Sequence, residues 1–481
     1  MIHEDLSKEL KVNSKYSNWL TKDQEQAIEK MVKWSGTNNT HKYVLEGPAG
    51  TGKTTIVKEF KKHSIKQGGF IVSAPTHKAV RVVSNDVGVE GHTIQKLLGL
   101  RPNMNLEHFD PNNVQYDPFG KRHIENYNTI VIDEASMLSR KMIGYIDKEA
   151  ALHNVKILYI GDGSQLPPVG EGYSSVFNVP AEIKSSLTTI MRQGNDNPLA
   201  QLLVDIRYGI GRKSFDYINT LMGKHNIKEG KGYMHLDDAK FQQYSMRAFN
   251  NDKFFNNISF CKLITYTNDN VSIWNKFIRN SLFPTSNEQA VIVHDLFMCY
   301  NTIIDEFNNA KITNSEEYIV NDLNDYCNAD NLKGWMVKFK EVSTGHNTPY
   351  LFIIDHNDAK TLLHYTLSLQ RLIVEASNRA NSPSIRSKKW KAFYEYKNRN
   401  LSLIQIKDSN TGKLIADKDL DYGYAITSHK SQGSTYDHSF VNLTNIVYGN
   451  GNTHMVNDAN MINRLFYVAA SRAKDTLSIL F

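Results

Sequence analysis

Residues 47–54 read Gly-Pro-Ala-Gly-Thr-Gly-Lys-Thr, and this stretch decides the fold. It matches G-x-x-x-x-G-K-[ST], a loop between a strand and a helix whose backbone N–H groups surround phosphate oxygens. An apolar run at 43–45 precedes it and a helical segment at 55–63 follows it, as the motif requires. We therefore predict a nucleotide site in which Lys53 binds the β and γ phosphates and the Thr54 hydroxyl ligates Mg²⁺. The nucleotide-binding residues predicted here are Gly47, Pro48, Ala49, Gly50, Thr51, Gly52, Lys53, Thr54 and Thr55.

Other apolar runs follow the phosphate loop at the spacing of a parallel sheet with intervening helices. The runs at 70–72, 129–132 and 157–160 each end in polar or turn-forming residues. The run 129–132 leads directly into Asp133 and Glu134. Adjacent acids are by themselves also typical of a solvated strand end. Beside a phosphate loop, they predict that Asp133 holds Mg²⁺ and that Glu134 orients or deprotonates the attacking water.

The composition is that of an ordinary globular protein. The chain has 481 residues, 40% of them hydrophobic and 22% charged, which suggests about three domains. Its net charge of +6 is only weak support for a polyanionic partner. The first ten residues lack the apolar stretch of a secretory signal, and we find no apolar run long enough to span a membrane. Cys261, Cys299 and Cys327 show no metal or redox spacing, so we expect a protein of the reducing cytoplasm.

The pattern of residue types changes at two places in the sequence. Between 100 and 121 the strand and helix pattern gives way to Pro, Asn, Gly and aromatic residues, which predicts an inserted hairpin. Short β-rich pieces such as 291–293 and 350–354 predict a second, β-rich insertion at 291–410. The expected domains are therefore 1–184 with an insertion at about 95–125, 185–290 joined with 411–481, and the inserted 291–410.

Five segments occur in the order and approximate spacing of the motifs of superfamily 1 DNA helicases. They are 74–79, 133–137, 161–169, 428–434 and 467–474. Within that superfamily the chain resembles the 1B group of Dda-like and RecD-like enzymes, from about Leu20 to the C-terminus. The resemblance implies an α/β fold with two RecA-like domains and an SH3-like insertion in the second. It also implies an ATP hydrolase that uses Mg²⁺.

The resemblance assigns roles around the nucleotide. Gln24 matches the glutamine that reads the adenine edge, although an ordinary surface position on an N-terminal helix explains it equally well. Gln165 matches the γ-phosphate sensor, and Arg192 and Arg472 match the two arginine fingers that stabilise charge on the transferred phosphoryl group. The motif that contacts nucleotide from the second core domain contains Gln432 and Gly433.

The resemblance also implies a track for single-stranded DNA. Hydroxyl, amide and imidazole groups suit contacts with phosphates, which position a strand without reading its sequence. An ordinary structural role remains an alternative for His92 and His429. The residues that match are Thr76, His77, His92, Thr93, Thr267, Asn268, His429 and Lys430.

Aromatic residues outside the motifs have two interpretations. The stretch 386–397 interleaves basic and aromatic side chains, as a base-stacking surface would. Trp390 and Phe393 lie three residues apart, and packing of one helix face is the favoured explanation. In the related helicases an inserted hairpin acts as a strand-separating pin, and the segment 100–125 occupies its place. Its candidate tip residues are Phe109, Tyr116 and Phe119.

Together these features predict an ATP-dependent DNA helicase that translocates 5′-to-3′ on single-stranded DNA and separates duplex or forked DNA in replication, recombination or repair. The direction comes from the resemblance. The alternatives are an RNA helicase or nucleoprotein remodeller of the same superfamily, and a nucleotide-gated DNA-binding loader without turnover. We expect a monomer in the cytoplasm of a phage-infected bacterium, with a single-strand-binding or replisome protein as a possible partner and no membrane association.

Overall fold

The computed structural model describes residues 20–63, 69–102, 116–118, 122–168, 170–189, 197–284, 289–305, 310–378, 381–408 and 411–481. The described residues divide into two compact units, one up to Gln201 and one from Leu202 onward. Within these ranges, no helix is both long enough and apolar enough to cross a membrane.

The first unit alternates strands and helices along the chain, as predicted. Its strands are β1 (Lys42–Glu46), β2 (Phe70–Ala74), β3 (Gly91–Thr93), β4 (Leu100–Pro102), β5 (Tyr116–Pro118), β6 (Thr129–Ile132), β7 (Lys156–Gly161) and β8 (Lys184–Ser186). Its helices are α1 (Lys22–Ser35), α2 (Lys53–His63), α3 (His77–Val87), α4 (Ile94–Leu98) and α5 (Arg140–His153), and α6 (Pro198–Arg212) crosses the division between the units.

A six-stranded sheet in the order β3-β2-β6-β7-β1-β8 forms the centre of this unit, and all its strands are parallel. Strands β6 and β7 are buried along their whole length because helices cover both faces of the sheet. Alternate residues enter two separate cores, Val131 on one face and Ile130 on the other. The predicted α/β architecture is confirmed. The predicted domain boundary after residue 184 falls inside β8, so the first sheet extends further than expected.

The predicted hairpin between 100 and 121 has a counterpart in the structure. Strands β4 and β5 pair in antiparallel register, with Leu100 opposite Pro118 and Pro102 opposite Tyr116. Two of the three candidate pin residues, Phe109 and Phe119, lie outside the described residues.

The strands of the second unit fall into two groups along the chain. Those of its core are β9 (His225–Lys228), β10 (Lys231–Leu236), β11 (Cys261–Thr265), β21 (Ala425–Thr427), β22 (Tyr436–Asn442) and β23 (Ala473–Leu480). Those between are β12 (Leu296–Cys299), β13 (Ile303–Ile304), β14 (Ala310–Ile312), β15 (Glu317–Cys327), β16 (Lys333–Glu341), β17 (Asn347–Ile354), β18 (Ile406–Lys407), β19 (Leu414–Ala416) and β20 (Leu420–Tyr422). The helices are α7 (Tyr217–Leu221), α8 (Asp238–Phe249), α9 (Asp252–Asn256), α10 (Asn268–Leu282), α11 (Ala359–Ser377), α12 (Pro383–Arg399), α13 (Leu443–Tyr448) and α14 (Ala459–Ala470).

The core sheet of the second unit has the order β21-β11-β22-β23-β10-β9. Its strands are parallel except β9, which forms an antiparallel pair with β10. A second parallel sheet with helices between its strands matches the predicted second RecA-like domain.

The insertion differs in detail from the β-rich segment expected at 291–410. A five-stranded antiparallel sheet, β17-β16-β15-β12-β20, is present, but residues 291–293 are not a strand and the sheet extends to Tyr422. The insertion also contains two long helices: α12, which includes the helical stretch expected around Trp390 and Phe393, and α11, which was not predicted. Phe393 is buried and Trp390 partly buried in the core between these helices and the sheet, which supports the packing alternative for both residues.

Two buried ion pairs join the insertion to the core of the second unit. Lys262 of β11 donates to Glu317 Oε1 at 2.5 Å and to the Gly423 carbonyl at 2.6 Å. The Arg279 guanidinium of α10 forms a bidentate pair with Asp295, with both N···O distances 2.8 Å. Paired charges can remain in a protein interior, but a single buried charge is costly. The stability of the insertion sheet therefore depends on these two contacts with the core.

We expect the substitution Asp295→Asn to destabilise the second unit by about 3 to 5 kcal/mol, because it removes the carboxylate that pairs with the buried Arg279 guanidinium. The matched control is Glu395→Gln, which removes the exposed pair between Lys391 and Glu395 and should cost less than about 1 kcal/mol. Urea unfolding followed by circular dichroism checks both variants. Equal midpoints for the two variants would show that the buried pair does not stabilise the unit.

Candidate nucleotide and nucleic-acid site

The predicted nucleotide residues of the first unit meet at one edge of its sheet. Because the strands are parallel, their carboxyl ends lie along the same edge, where ligands bind in folds of this kind. The phosphate loop follows β1, Thr76 lies just after β2, Asp133 follows β6, and the segment of Gln165 follows β7. Two backbone hydrogen bonds hold the edge together: Gly47 N donates to the Gly161 carbonyl at 3.0 Å, and Asp133 N to the Ser73 carbonyl at 2.9 Å.

The phosphate loop has the backbone shape that its glycines permit. Gly50 and Gly52 have φ angles of 82° and 78°, which side-chain-bearing residues rarely adopt. The Lys53 ammonium donates to the carbonyls of Gly47 and Pro48, at 2.7 and 2.9 Å. The charged group is therefore positioned over the loop, where phosphates of a nucleotide would lie.

Gln24 lies against this loop and supports it. Its side-chain nitrogen donates to the Thr51 carbonyl at 2.9 Å, and its oxygen accepts from Thr21 N at 3.0 Å. A Cβ atom on Gly52 would lie only 2.7 Å from that nitrogen, so the glutamine needs a glycine at this position. The surface alternative for Gln24 is wrong, because the side chain is only 4% exposed. Its predicted contact with adenine stays a prediction.

The acidic pair has two distinct environments. Burial raises the pKa of Asp133, and the nearby Lys53 ammonium and a hydrogen bond from Glu134 N oppose that rise. Glu134 has a left-handed backbone conformation, with φ 52° and ψ 38°. Such strain in a residue other than glycine is typical of functional sites. Because of this backbone conformation, the Glu134 side chain does not point in the direction that it would have if the strand continued.

Gln165 is 5% exposed. It lies in a turn in which its own backbone N–H donates to the Asp162 carbonyl at 3.0 Å. The Asp162 carboxylate accepts from Ser164 N, also at 3.0 Å. The turn therefore fixes the backbone on which the predicted γ-phosphate sensor is carried.

The protein groups available for Mg²⁺ are few, and they fit the ion. The described residues contain no cluster of three or more His, Cys, Asp or Glu side chains arranged for a metal. Mg²⁺ commonly takes one or two protein oxygens and completes its shell with nucleotide phosphates and water. The half-buried Thr54 hydroxyl and the half-buried Asp133 carboxylate are oxygen donors of that kind, and a cation would offset the desolvation that raises the pKa of Asp133.

Sequence reasoning missed a contact made by Asp23. Its carboxylate accepts from the backbone N–H groups of Thr188 and Thr189, at 2.8 and 3.2 Å, and from the Thr21 hydroxyl. Burial raises its pKa, but these hydrogen bonds and one from Gln24 N lower it to about 2, below its ordinary 3.8. The contact therefore stabilises the fold above about pH 4, and this contribution is lost as pH falls toward 2. The contacted segment follows β8 and precedes Arg192, which lies outside the described residues.

The predicted nucleotide residues of the second unit have different surroundings. Arg472 is 5% exposed and donates to the carbonyls of Val468 and Ser434, at 3.0 and 3.2 Å. Its guanidinium thus fastens the loop that carries Gln432 and Gly433 to the end of α14. The Gln432 side-chain nitrogen is buried and has no hydrogen-bond partner among the described residues, so it is available to a ligand.

Three threonines of the predicted DNA track cap helices. Thr76, Thr93 and Thr267 accept from the backbone N–H groups of Ala79, Lys96 and Asn270, which begins α3, α4 and α10. Helix N-termini favour nearby phosphates, because their free N–H groups and dipoles point outward. His77 and Asn268 are the first residues of α3 and α10.

His92 retains its structural alternative. Its Nδ1 lies 2.8 Å from the Gly91 carbonyl and its Nε2 3.2 Å from Glu90. Burial and the neighbouring Lys96 lower its pKa, which favours the neutral form near pH 7. A contact with phosphate would then be a hydrogen bond rather than an ion pair.

Asn445 organises the second-unit part of the track and was not predicted. Its Oδ1 accepts from the backbone N–H groups of Tyr266 and Thr267, each at 3.0 Å, and from the Thr265 hydroxyl at 2.7 Å. The Tyr266 ring lies 6.4 Å from the His429 ring, between centroids. The two predicted contact groups of this unit, Thr267-Asn268 and His429-Lys430, are therefore neighbours.

Lys430 rests on an aromatic ring of the insertion. Its Nζ lies 4.0 Å from the centroid of Tyr300, and Lys418 Nζ lies 4.6 Å from the same centroid. Burial lowers the pKa of Lys430 to about 8. The side chain is thus fixed in place and remains mostly cationic at neutral pH.

The parallel sheets, the phosphate loop and the acidic pair are the features that P-loop NTPases with two RecA-like domains share. Residues 19–231 match the family model described as an AAA domain. The motif segments at 74–79, 133–137, 161–168 and 428–434 begin at or just after the ends of strands of these two sheets, and the segment 467–474 runs from the end of α14 into β23.

Comparison with known proteins confirms the predicted resemblance to superfamily 1B helicases. The chain is 28% identical over 279 residues to the ATP-dependent DNA helicase Dda of Enterobacteria phage T4, covering 56% of this chain and 58% of Dda. It is 29% identical over 167 residues to the RecD2 DNA helicase of Deinococcus radiodurans, covering 34% of this chain and 22% of RecD2. An uncharacterised protein of Acanthamoeba polyphaga mimivirus is 26% identical over 526 residues, covering 92% of this chain and 96% of that protein. The solved Pif1 helicase of Candida albicans aligns with 96% of this chain and 94% of its own, at 16% identity and a TM-score of 0.48.

Proposed function

We propose that this protein is an ATP-dependent DNA helicase that moves 5′-to-3′ along single-stranded DNA. The proposal is carried by the edge of the first sheet. Lys53 follows β1 there, and Asp133 and Glu134 follow the parallel strand β6. Phosphoryl transfer requires these groups together: a lysine for the phosphates, a carboxylate for the metal and a second carboxylate for the water. The similarity to Dda and RecD2, which are named as DNA helicases, supports DNA as the substrate.

The nucleotide chemistry follows from the residues of the first unit. Lys53 binds the β and γ phosphates, Glu134 orients or deprotonates the attacking water, and Gln165 senses the γ-phosphate. Bound Mg²⁺, held by Thr54 and Asp133, would supply charge neutralisation at the phosphates. Arg192 and Arg472 are proposed to add positive charge in the transition state. For Arg472 this requires exchange of its present hydrogen bonds to Val468 and Ser434.

DNA binding is proposed at the helix N-termini of Thr76, Thr93 and Thr267 and at His429 and Lys430. These groups contact phosphates rather than base edges, which suits movement along a strand of any sequence. The hairpin of β4 and β5 is proposed as the pin that separates the duplex. The role in replication, recombination or repair is part of the same proposal.

The setting of the enzyme is also a proposal. We propose that it acts in the cytoplasm of a phage-infected bacterium. We propose a functional monomer that meets single-strand-binding or replisome proteins on the DNA.

The test is ATP-driven unwinding of a short duplex with either a 5′ or a 3′ single-stranded tail, with Lys53→Ala as the blank. We expect unwinding of the 5′-tailed substrate alone. Preference for the 3′ tail would refute the direction and leave the helicase activity standing. ATP hydrolysis stimulated by RNA and not by DNA would replace the proposal with an RNA helicase, since the 2′-hydroxyl distinguishes the two substrates. Binding without turnover would indicate a nucleotide-gated loader.

A further inference from the structure

A cavity of about 900 Å³ lies within the second unit, between helix α10 of the core and the insertion. One wall is the face of α10 that carries Asn268, Ser272 and Lys276. The opposite wall comes from the insertion and includes His356 and Lys407. Its volume is at the upper end of the range for pockets that bind one small molecule. The cavity is therefore large enough for part of an extended ligand.

The lining has an excess of positive charge. It contains the cations Lys276, Arg279, Lys407 and Lys418 and the carboxylates Asp269 and Asp421. Arg279 and Lys418 are already neutralised, by Asp295 at 2.8 Å and by Asp421 at 2.5 Å. Lys276 and Lys407 are exposed, and neither has an ion-pair partner among the described residues. With Asp269 and Asp421 counted together with Asp295, the carboxylates leave the lining an excess of one positive charge, and Lys276 and Lys407 are the two cations of the lining that form no ion pair with any residue that the structure describes.

The remaining lining adds polar and apolar groups. His356 Nδ1 is buried and has no hydrogen-bond partner in the described part of the chain. Leu403, Ile404 and the Tyr422 ring provide an apolar surface. Cations for phosphates, a free polar nitrogen and an aromatic or aliphatic surface for bases are the elements of a single-strand groove.

The cavity adjoins the predicted DNA contacts of this unit. Asn268, the first residue of α10, lines it directly. Lys418 also lines it, and the Lys418 and Lys430 ammonium groups both lie near the ring of Tyr300. A strand held at Asn268 therefore lies beside the cavity.

We propose that this cavity binds the phosphodiester backbone of single-stranded DNA as an extension of the track, with Lys276 and Lys407 as its phosphate contacts. The inference rests on the proposed function and adds residues that lie outside every helicase motif quoted above. A free nucleotide offers the same phosphate chemistry, and the experiment separates the two sources.

The experiment measures the affinity for a long oligothymidine, by fluorescence anisotropy, between about 50 and 200 mM salt. The variant is Lys276→Ala/Lys407→Ala, and the matched control is Lys228→Ala, an exposed lysine of β9 away from the cavity. Each phosphate contact on a single strand contributes about 0.7 to the slope of log affinity against log salt. We expect the double variant to reduce that slope by about 1.4 and the control to leave it unchanged.

Three outcomes overturn the inference in distinguishable ways. If the wild type unwinds DNA and the double variant keeps its salt slope, the cavity is not part of the track and the helicase proposal stands. If thymidine monophosphate binds through these lysines while the oligothymidine slope is unchanged, the cavity is a nucleotide site. If the wild type binds no single-stranded DNA, the proposed function itself fails. Thermal unfolding of each variant verifies that the loss of slope does not come from misfolding.

Discussion

Lys53→Ala should lower ATP turnover by roughly 10²- to 10³-fold or more, because it removes the charge that stabilises the transferred phosphoryl group. In the structure the Lys53 ammonium lies over the loop on the carbonyls of Gly47 and Pro48. Alanine cannot reach the phosphates and leaves those two carbonyls without this donor. Steady-state phosphate release with saturating single-stranded DNA measures the effect.

The control for this variant is Lys58→Ala, an exposed lysine on the same helix, α2. It changes the net charge equally without touching the loop, so its turnover should match the wild type. DNA-stimulated hydrolysis that survives in Lys53→Ala would overturn the assignment of the phosphate site.

The substitution Glu134→Gln should lower turnover by roughly 10²- to 10⁴-fold and leave nucleotide binding nearly intact. Glutamine has the same size, so the left-handed backbone at φ 52° is expected to persist, but an amide cannot accept the proton of the attacking water. Single-turnover hydrolysis combined with binding of a fluorescent nucleotide separates the chemical step from binding.

The comparison variant is Asp133→Asn, which alters the proposed Mg²⁺ ligand rather than the proposed base. Its main effect should be weaker Mg²⁺-dependent nucleotide binding, because it removes a charged oxygen ligand. Normal turnover by Glu134→Gln, or identical defects in both variants, would contradict the separate roles given to these neighbours.

The sequence was sufficient for those parts of the fold that depend on local pattern. Strands such as 129–132 were predicted because each is a short apolar run with a polar end, and a buried parallel strand requires that pattern. The phosphate loop was predicted because its glycines and its lysine have fixed spacing. The residues that these strands carry at their ends, Asp133 among them, followed from the topology of parallel sheets.

The contacts that could not be predicted join residues far apart in the chain. Asp23 is 165 residues from Thr188, and Asn445 is 178 residues from Thr267. Each is a single short polar side chain, and nothing in its neighbouring sequence indicates its partner. The buried location of Gln24 was missed for the same reason, since its amide is fixed by Thr51 in another element.

The insertion was predicted least well because its pattern is mixed. Residues 291–293 are apolar and β-branched, yet the strand begins at Leu296. Helix α11 presents exposed Leu363, Leu367 and Val374, so its apolar residues do not follow one buried face. Local pattern cannot separate such a helix from a strand.

The way in which the insertion leaves and rejoins the core has a mechanical consequence. Its entering strand β12 pairs directly with its last strand β20, and the buried Lys262 and Arg279 pairs fasten the same region to the core. The paired strands and the two buried ion pairs attach the insertion to the core stiffly and not through a hinge. A displacement of the second core sheet during each ATP cycle would therefore carry the insertion with it. Force applied to a strand held in that unit would load both parts together.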